Sequence, residues 1–107
     1  MYRLNFYVPE SDLEEVKDAL FDVGAGKIGN YKKCCWQVKG IGQFLPLENS
    51  NPAIGKIGMV EKVSEFKVEM VCDDNIVKKV VDKLIEVHPY EEPAYDLVKV
   101  MTKEDFF

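Results

Sequence analysis

The one histidine in the chain, His88, opens the stretch HPYEEPAYDL, residues 88–97, where two prolines, two tyrosines and three acidic side chains gather around it. An imidazole with Glu91, Glu92 and Asp96 offers a nitrogen and oxygen ligand set for a divalent ion. Drawing every ligand from one short segment would strain the coordination. His88 also lies four residues past Leu84 and seven past Val81, so it continues an apolar helical stripe. A packed imidazole at the negative end of a helix is the simpler reading. Pro89 and Pro93 stiffen the segment, and Tyr90 and Tyr95 read as packing or interface residues rather than catalysts. On the residues alone, a structural corner takes precedence over a metal site.

Two further motifs fail on context. GAGKIG, residues 24–29, fits G-x-G-x-x-G, but a helix precedes it and a strand follows, the reverse of what a pyrophosphate cradle needs. Gly24, Gly26 and Gly29 are expected to serve backbone geometry. KGIGQFLPL, residues 39–47, resembles the RNA-recognition motif, yet Ile41 and Gln43 stand where base-stacking rings belong. A hydrolase built on Cys34 or Cys35 with His88 has no supporting spacing, and Arg3, the only arginine, rules out a paired arginine clamp on phosphate.

The net charge of −5 over 107 residues argues against nucleic acid and anionic membrane as partners. No apolar run reaches the roughly 18 residues of a membrane span. Three cysteines without C-x-x-C spacing point to a reduced, cytoplasmic protein. A single domain of residues 1–107 is expected, with a radius of gyration of about 13 Å.

The elements that position these residues are expected in the order βαββαβ. Residues 3–8 form a strand with Leu4, Phe6 and Val8 on one face. A capping box of Ser11 and Glu14 starts a helix with Leu13, Val16, Leu20 and Val23 inward, and Gly24 stops it. Residues 31–39 are predicted as a second strand with Cys34, Trp36 and Val38 on its apolar face. A long loop over 40–61, rich in glycine and proline, precedes a third strand over 62–72. Asp73 or Asp74 is expected to cap a second helix with Val77, Val80, Val81, Leu84 and Val87 inward. Pro89 ends it, and residues 94–101 supply the last strand. The inward positions of the first helix recur 64 positions later in the second, which supports two βαβ halves. This order is that of an α+β, ferredoxin-like sandwich: a four-stranded antiparallel sheet with two helices on one face. The other face should show Arg3, Asn5, Tyr7, Lys33, Cys35, Gln37, Glu65, Lys67 and Glu69.

The ordered set GAGKIGNYKKCCW, GIGQFLP, NPAIGKIG and HPYEEPAYDL resembles the PII/CutA-like domain inserted in Nif-three-like dinuclear-metal proteins, and stand-alone copies of that domain. The likeness runs from about residue 3 to residue 100. It implies a small oligomeric binding or regulatory module, a trimer by preference, with no catalytic residues and no required cofactor. It also implies that loop 40–61 sits where PII carries its ligand-responsive loop. The family's metal ligands lie in the halves flanking this domain, so they are not carried over. Sites in such a trimer would lie between subunits. There Tyr31 and Cys34 of one chain could meet His88, Tyr90, Glu91 and Glu92 of the next around a small molecule or a protein segment. The alternative is a CutA-like divalent-metal site at His88, Glu91 and Glu92.

Overall fold

In the computed structural model, which describes residues 1–106, the order βαββαβ holds. Strands β1 (Tyr2–Pro9), β2 (Trp36–Phe44), β3 (Glu61–Cys72) and β4 (Tyr95–Lys99) form one antiparallel sheet in the order β2-β3-β1-β4. Helices α1 (Leu13–Asp22) and α2 (Val77–Val87) pack on one face. Phe107, the last residue of the expected domain, lies outside the described residues.

Alternation builds the core. Leu4, Phe6 and Val8 of β1 pair with Met70, Val68 and Phe66 of β3, so their side chains share the helix-covered face. Val16 and Leu20 of α1 and Val80 and Leu84 of α2 close over them, each at most 1% exposed. Cys72 joins this core, and burial together with the neighbouring Asp73 pushes its thiol up, which leaves it inert.

Both predicted helix caps are absent. Each helix is preceded by a short 3₁₀ turn, Glu10–Asp12 and Asp74–Ile76, and no side chain caps either helix. The turn draws Ser11 out of the cap position, where its hydroxyl donates to Asp12 at 3.0 Å. At the other end, Gly24, Gly26 and Gly29 all take positive φ, as their reading as turn residues requires. Gly26 is the most constrained: its φ is +75°, and a Cβ there would meet the Cys34 carbonyl at 2.7 Å and the Phe21 ring at 2.8 Å.

The second strand departs most from expectation. It begins at Trp36, not residue 31, because Lys33 turns left-handed (φ 57°) and the Cys34 amide donates back to the Gly26 carbonyl at 2.8 Å. It runs on to Phe44, so the connection shrinks from 40–61 to 45–60. Its facing is also reversed. Gln37 pairs with the buried Val68 and accepts from Lys17 of α1 at 2.8 Å, which puts it on the helix side. Trp36 and Val38 therefore stand on the open face, 62% and 45% exposed, opposite Glu69 and Lys67. Lys33 and Cys35 precede the strand altogether. Arg3, Asn5, Tyr7, Glu65, Lys67 and Glu69 do share the open face.

The long β2–β3 ribbon makes the molecule 52 Å in its longest dimension and raises the radius of gyration to 15.2 Å, above the value for a sphere of this length. The last strand is shorter than expected, five residues along the free edge of β1.

Candidate functional site

The HPYEEPAYDL segment begins as the sequence dictates. His88 leaves the helix at φ −69° and ψ 137°, the extended geometry that a following proline imposes. Beyond Phe6, β1 loses β4 as a partner, and this segment takes over its free edge. The His88 ring nitrogen Nε2 lies 2.6 Å from the Tyr7 carbonyl oxygen, and the Tyr7 amide donates to the Ala94 carbonyl at 3.3 Å. His88 Nδ1 accepts the Tyr90 amide at 3.1 Å. That pairing assigns the proton to Nε2, which donates to Tyr7. The ring is 6% exposed, and burial pushes its pKa down, against the Tyr7 carbonyl and the Glu65 and Asp12 carboxylates that pull it up.

Tyr90 carries the segment over to the open face. Its hydroxyl donates to Glu65 Oε2 at 2.7 Å, and its ring stands edge-on to Phe44 with centroids 5.8 Å apart. Burial and the Glu65 carboxylate push the hydroxyl up, so it stays a proton donor. Glu65 sits opposite Gly40 in the β2 register, and a Cβ on Gly42 would overlap its carboxylate. Bare glycine backbone is thus what makes room for a carboxylate that is 8% exposed.

Loop 45–60 folds back toward the same place. Ser50 closes a turn on the Leu47 carbonyl, and the Asn51 amide donates to Glu91 Oε1 at 3.1 Å. Between loop, strand ends and the HPYEEP corner lies a cleft of about 1190 Å³. Its walls include Tyr7, Phe44, Leu47, Glu65, Tyr90, Glu91 and Glu92. A volume of this size is somewhat above the roughly 300–1,000 Å³ of small-molecule sites.

The six site residues expected from the sequence fall into two groups. Tyr90, Glu91 and Glu92 line the cleft, with His88 directly behind them. Tyr31 and Cys34 lie at the other end of the sheet. Tyr31 is paired with Ile28 in a two-residue hairpin, and Cys34 is tied through Gly26 to Val71. Val71 is six positions along β3 from Glu65, about 20 Å away at the usual strand rise. Within one chain neither Cys34 nor Cys35 reaches His88, so no cysteine–histidine pair forms. Both ring nitrogens of His88 are bonded within the protein, and among the described residues no three potential metal ligands converge. Glu65, Tyr7, Phe44 and Gly42 were not expected in the site. The signal for Glu65 was an acid on β3 facing two glycines, legible only once the β2 register is known.

No family model matches the chain. A GTP cyclohydrolase 1 type 2 homolog from Halalkalibacterium halodurans is 47% identical over 97 residues, 91% of this chain and 26% of that protein. The homolog from Bacillus subtilis is 43% identical over 98 residues, again 26% of its length. This chain therefore spans about a quarter of these relatives. Among solved structures, a Bacillus cereus protein related to NIF3 superposes with a TM-score of 0.77 at 38% identity, over 90% of this chain and 24% of that one. CutA1 from Pyrococcus horikoshii superposes with a TM-score of 0.70 over 99% of this chain and 90% of its own, at 16% identity, a likeness of fold.

Proposed function

As a PII/CutA-like domain of NIF3-related proteins, this chain works, we propose, as a small-molecule binding module that acts as an oligomer, a trimer by preference, and performs no catalysis of its own. The observation that carries this reading is the cleft, closed on one side by loop 45–60 and on the other by the HPYEEP corner. Its position supports a ligand-responsive loop: the Asn51–Glu91 hydrogen bond is an exposed contact that a bound ligand can replace. The open sheet face supports self-association, because Trp36 and Val38 on one edge strand and Val98 on the other are exposed apolar side chains that a second sheet would cover. The cytoplasmic setting expected from the cysteines belongs to the same proposal. No helix of the described residues is long and apolar enough to cross a membrane. The activity named in the longer relatives is not assigned to this quarter of their length.

Light scattering at micromolar concentration tests the oligomer, and a strict monomer would remove that half of the reading. Amide chemical shifts under a small-molecule library test the cleft. Ligands that cluster on Phe44, Asn51 and Tyr90 are expected; ligands that cluster elsewhere would refute the site.

A further inference from the structure

Glu65 is a buried carboxylate with only half its hydrogen-bonding capacity used. Oε2 accepts the Tyr90 hydroxyl, while Oε1 has no hydrogen-bond partner among the described residues and lies over the bare Cα of Gly42. Both residues line the cleft, and both also line a smaller hollow beside it together with Lys39 and Lys67. A carboxylate oxygen that the protein leaves unpaired is an acceptor for a cationic N–H donor, the stronger kind of hydrogen bond. Among the described residues no cationic side chain forms an ion pair with Glu65. Lys67, two positions along the same face of β3, makes no ion pair with Glu65, and among the described residues no lysine or arginine lines the cleft. The remaining walls add charge of the same sign, from Glu48, Glu91 and Glu92. They also add aromatic surface: Tyr7 together with Phe44 and Tyr90, whose rings are inclined at 61° to one another. Ring faces attract cations and repel anions.

We propose that this cleft takes an organic ammonium ion, its N–H groups donating to Glu65 Oε1 and its apolar body resting against Phe44 and Tyr90. This rests on the reading of the cleft as a ligand site, and it names the charge class that the site selects. A nucleoside phosphate would meet four carboxylates and no counter-charge, so it is disfavoured. Gly42 has a defined part in this selection, since any side chain there would displace the carboxylate that reads the ammonium.

The test titrates three probes into the isotopically labelled protein and follows its amide shifts: phenethylammonium, the neutral 2-phenylethanol, and ATP. Phenethylammonium is expected to move the amides of Gly42, Asn51 and Tyr90 and to bind about tenfold tighter than the alcohol, the ratio a charge-assisted hydrogen bond supplies. Glu65→Gln is expected to bring that ratio to about one. Should this variant fail to fold, a salt titration of the wild type decides. The ammonium must then weaken with salt while the alcohol does not. Equal binding of ammonium and alcohol, or tighter binding of ATP at these amides, overturns the charge assignment and leaves the cleft a ligand site. No shift with any of the three probes overturns both.

Discussion

Replacing His88 tests whether the corner is structural, and its cost can be worked from two hydrogen bonds. His88→Ala removes the Nε2–H bond to the Tyr7 carbonyl and the acceptor for the Tyr90 amide, and leaves a space where a 6%-exposed ring had been. Each lost bond costs about 1 kcal/mol net, and the backbone groups left unpaired raise the total to about 2–4 kcal/mol. That is a large share of the roughly 5–15 kcal/mol that holds a domain together. The pH dependence gives a second, independent measure. Burial holds the imidazole pKa below its unfolded value of 6.5, so the unfolded chain takes up the proton first. The stabilisation is therefore fully present above pH 6.5 and is lost as pH falls through the folded pKa. Between pH 6.5 and 5 the loss is at most about 2 kcal/mol, from about 1.4 kcal/mol per pH unit for one proton. Urea unfolding followed by circular dichroism, at one protein concentration and at pH 8, 6.5 and 5, should show wild type above both His88→Ala and the non-titrating His88→Gln. The advantage over His88→Gln should narrow as pH falls. A loss below about 0.5 kcal/mol for His88→Ala at pH 8 would refute the structural role. An advantage that grew toward pH 5 would show instead that the folded state holds a charged imidazole.

Gly42→Ala should cost about 1–3 kcal/mol, the usual price of overpacking, because the new methyl overlaps the Glu65 carboxylate; thermal unfolding and the near-ultraviolet tyrosine signal report it together. Trp36→Glu places like charge opposite Glu69 on the open face, and it is expected to shift the oligomer toward monomer by light scattering while the far-ultraviolet spectrum is kept. An unchanged oligomer would mean that subunits meet elsewhere. Leu84→Ala, in the core between α2 and the sheet, should lose about 2–5 kcal/mol in urea unfolding, whereas the exposed Ile85→Ala should change little.

Much of the fold was legible in the residues because local rules and tertiary packing agree there. The inward positions of both helices other than Val81, which stays outside the core cluster, the β1 and β3 core pairs and the helix stop at Pro89 follow from spacing and backbone sterics, which act within a few residues. The helix starts were misread because Ser-x-x-Glu and Asp-Asp are equally compatible with a 3₁₀ turn. Which of the two forms depends on where the preceding strand delivers the chain.

The site divides along the same line. Chemistry, charge and stiffness were present in HPYEEPAYDL itself, and the preference for a corner over a metal site came from the strain of four ligands in one short segment and from the place of His88 on the helical stripe. What only the tertiary structure decided was the facing and length of β2. A strand's two faces differ by a one-residue shift, and Cys34, Trp36 and Val38 alternate equally well toward core or solvent. Pairing with β3 settles it. Gln37 turns inward to Lys17, Trp36 turns outward, and Gly42 comes to rest over Glu65. The cleft exists because of that register, which no window along the chain contains: its walls come from residues up to 87 positions apart, brought together by strands that meet only in the folded sheet.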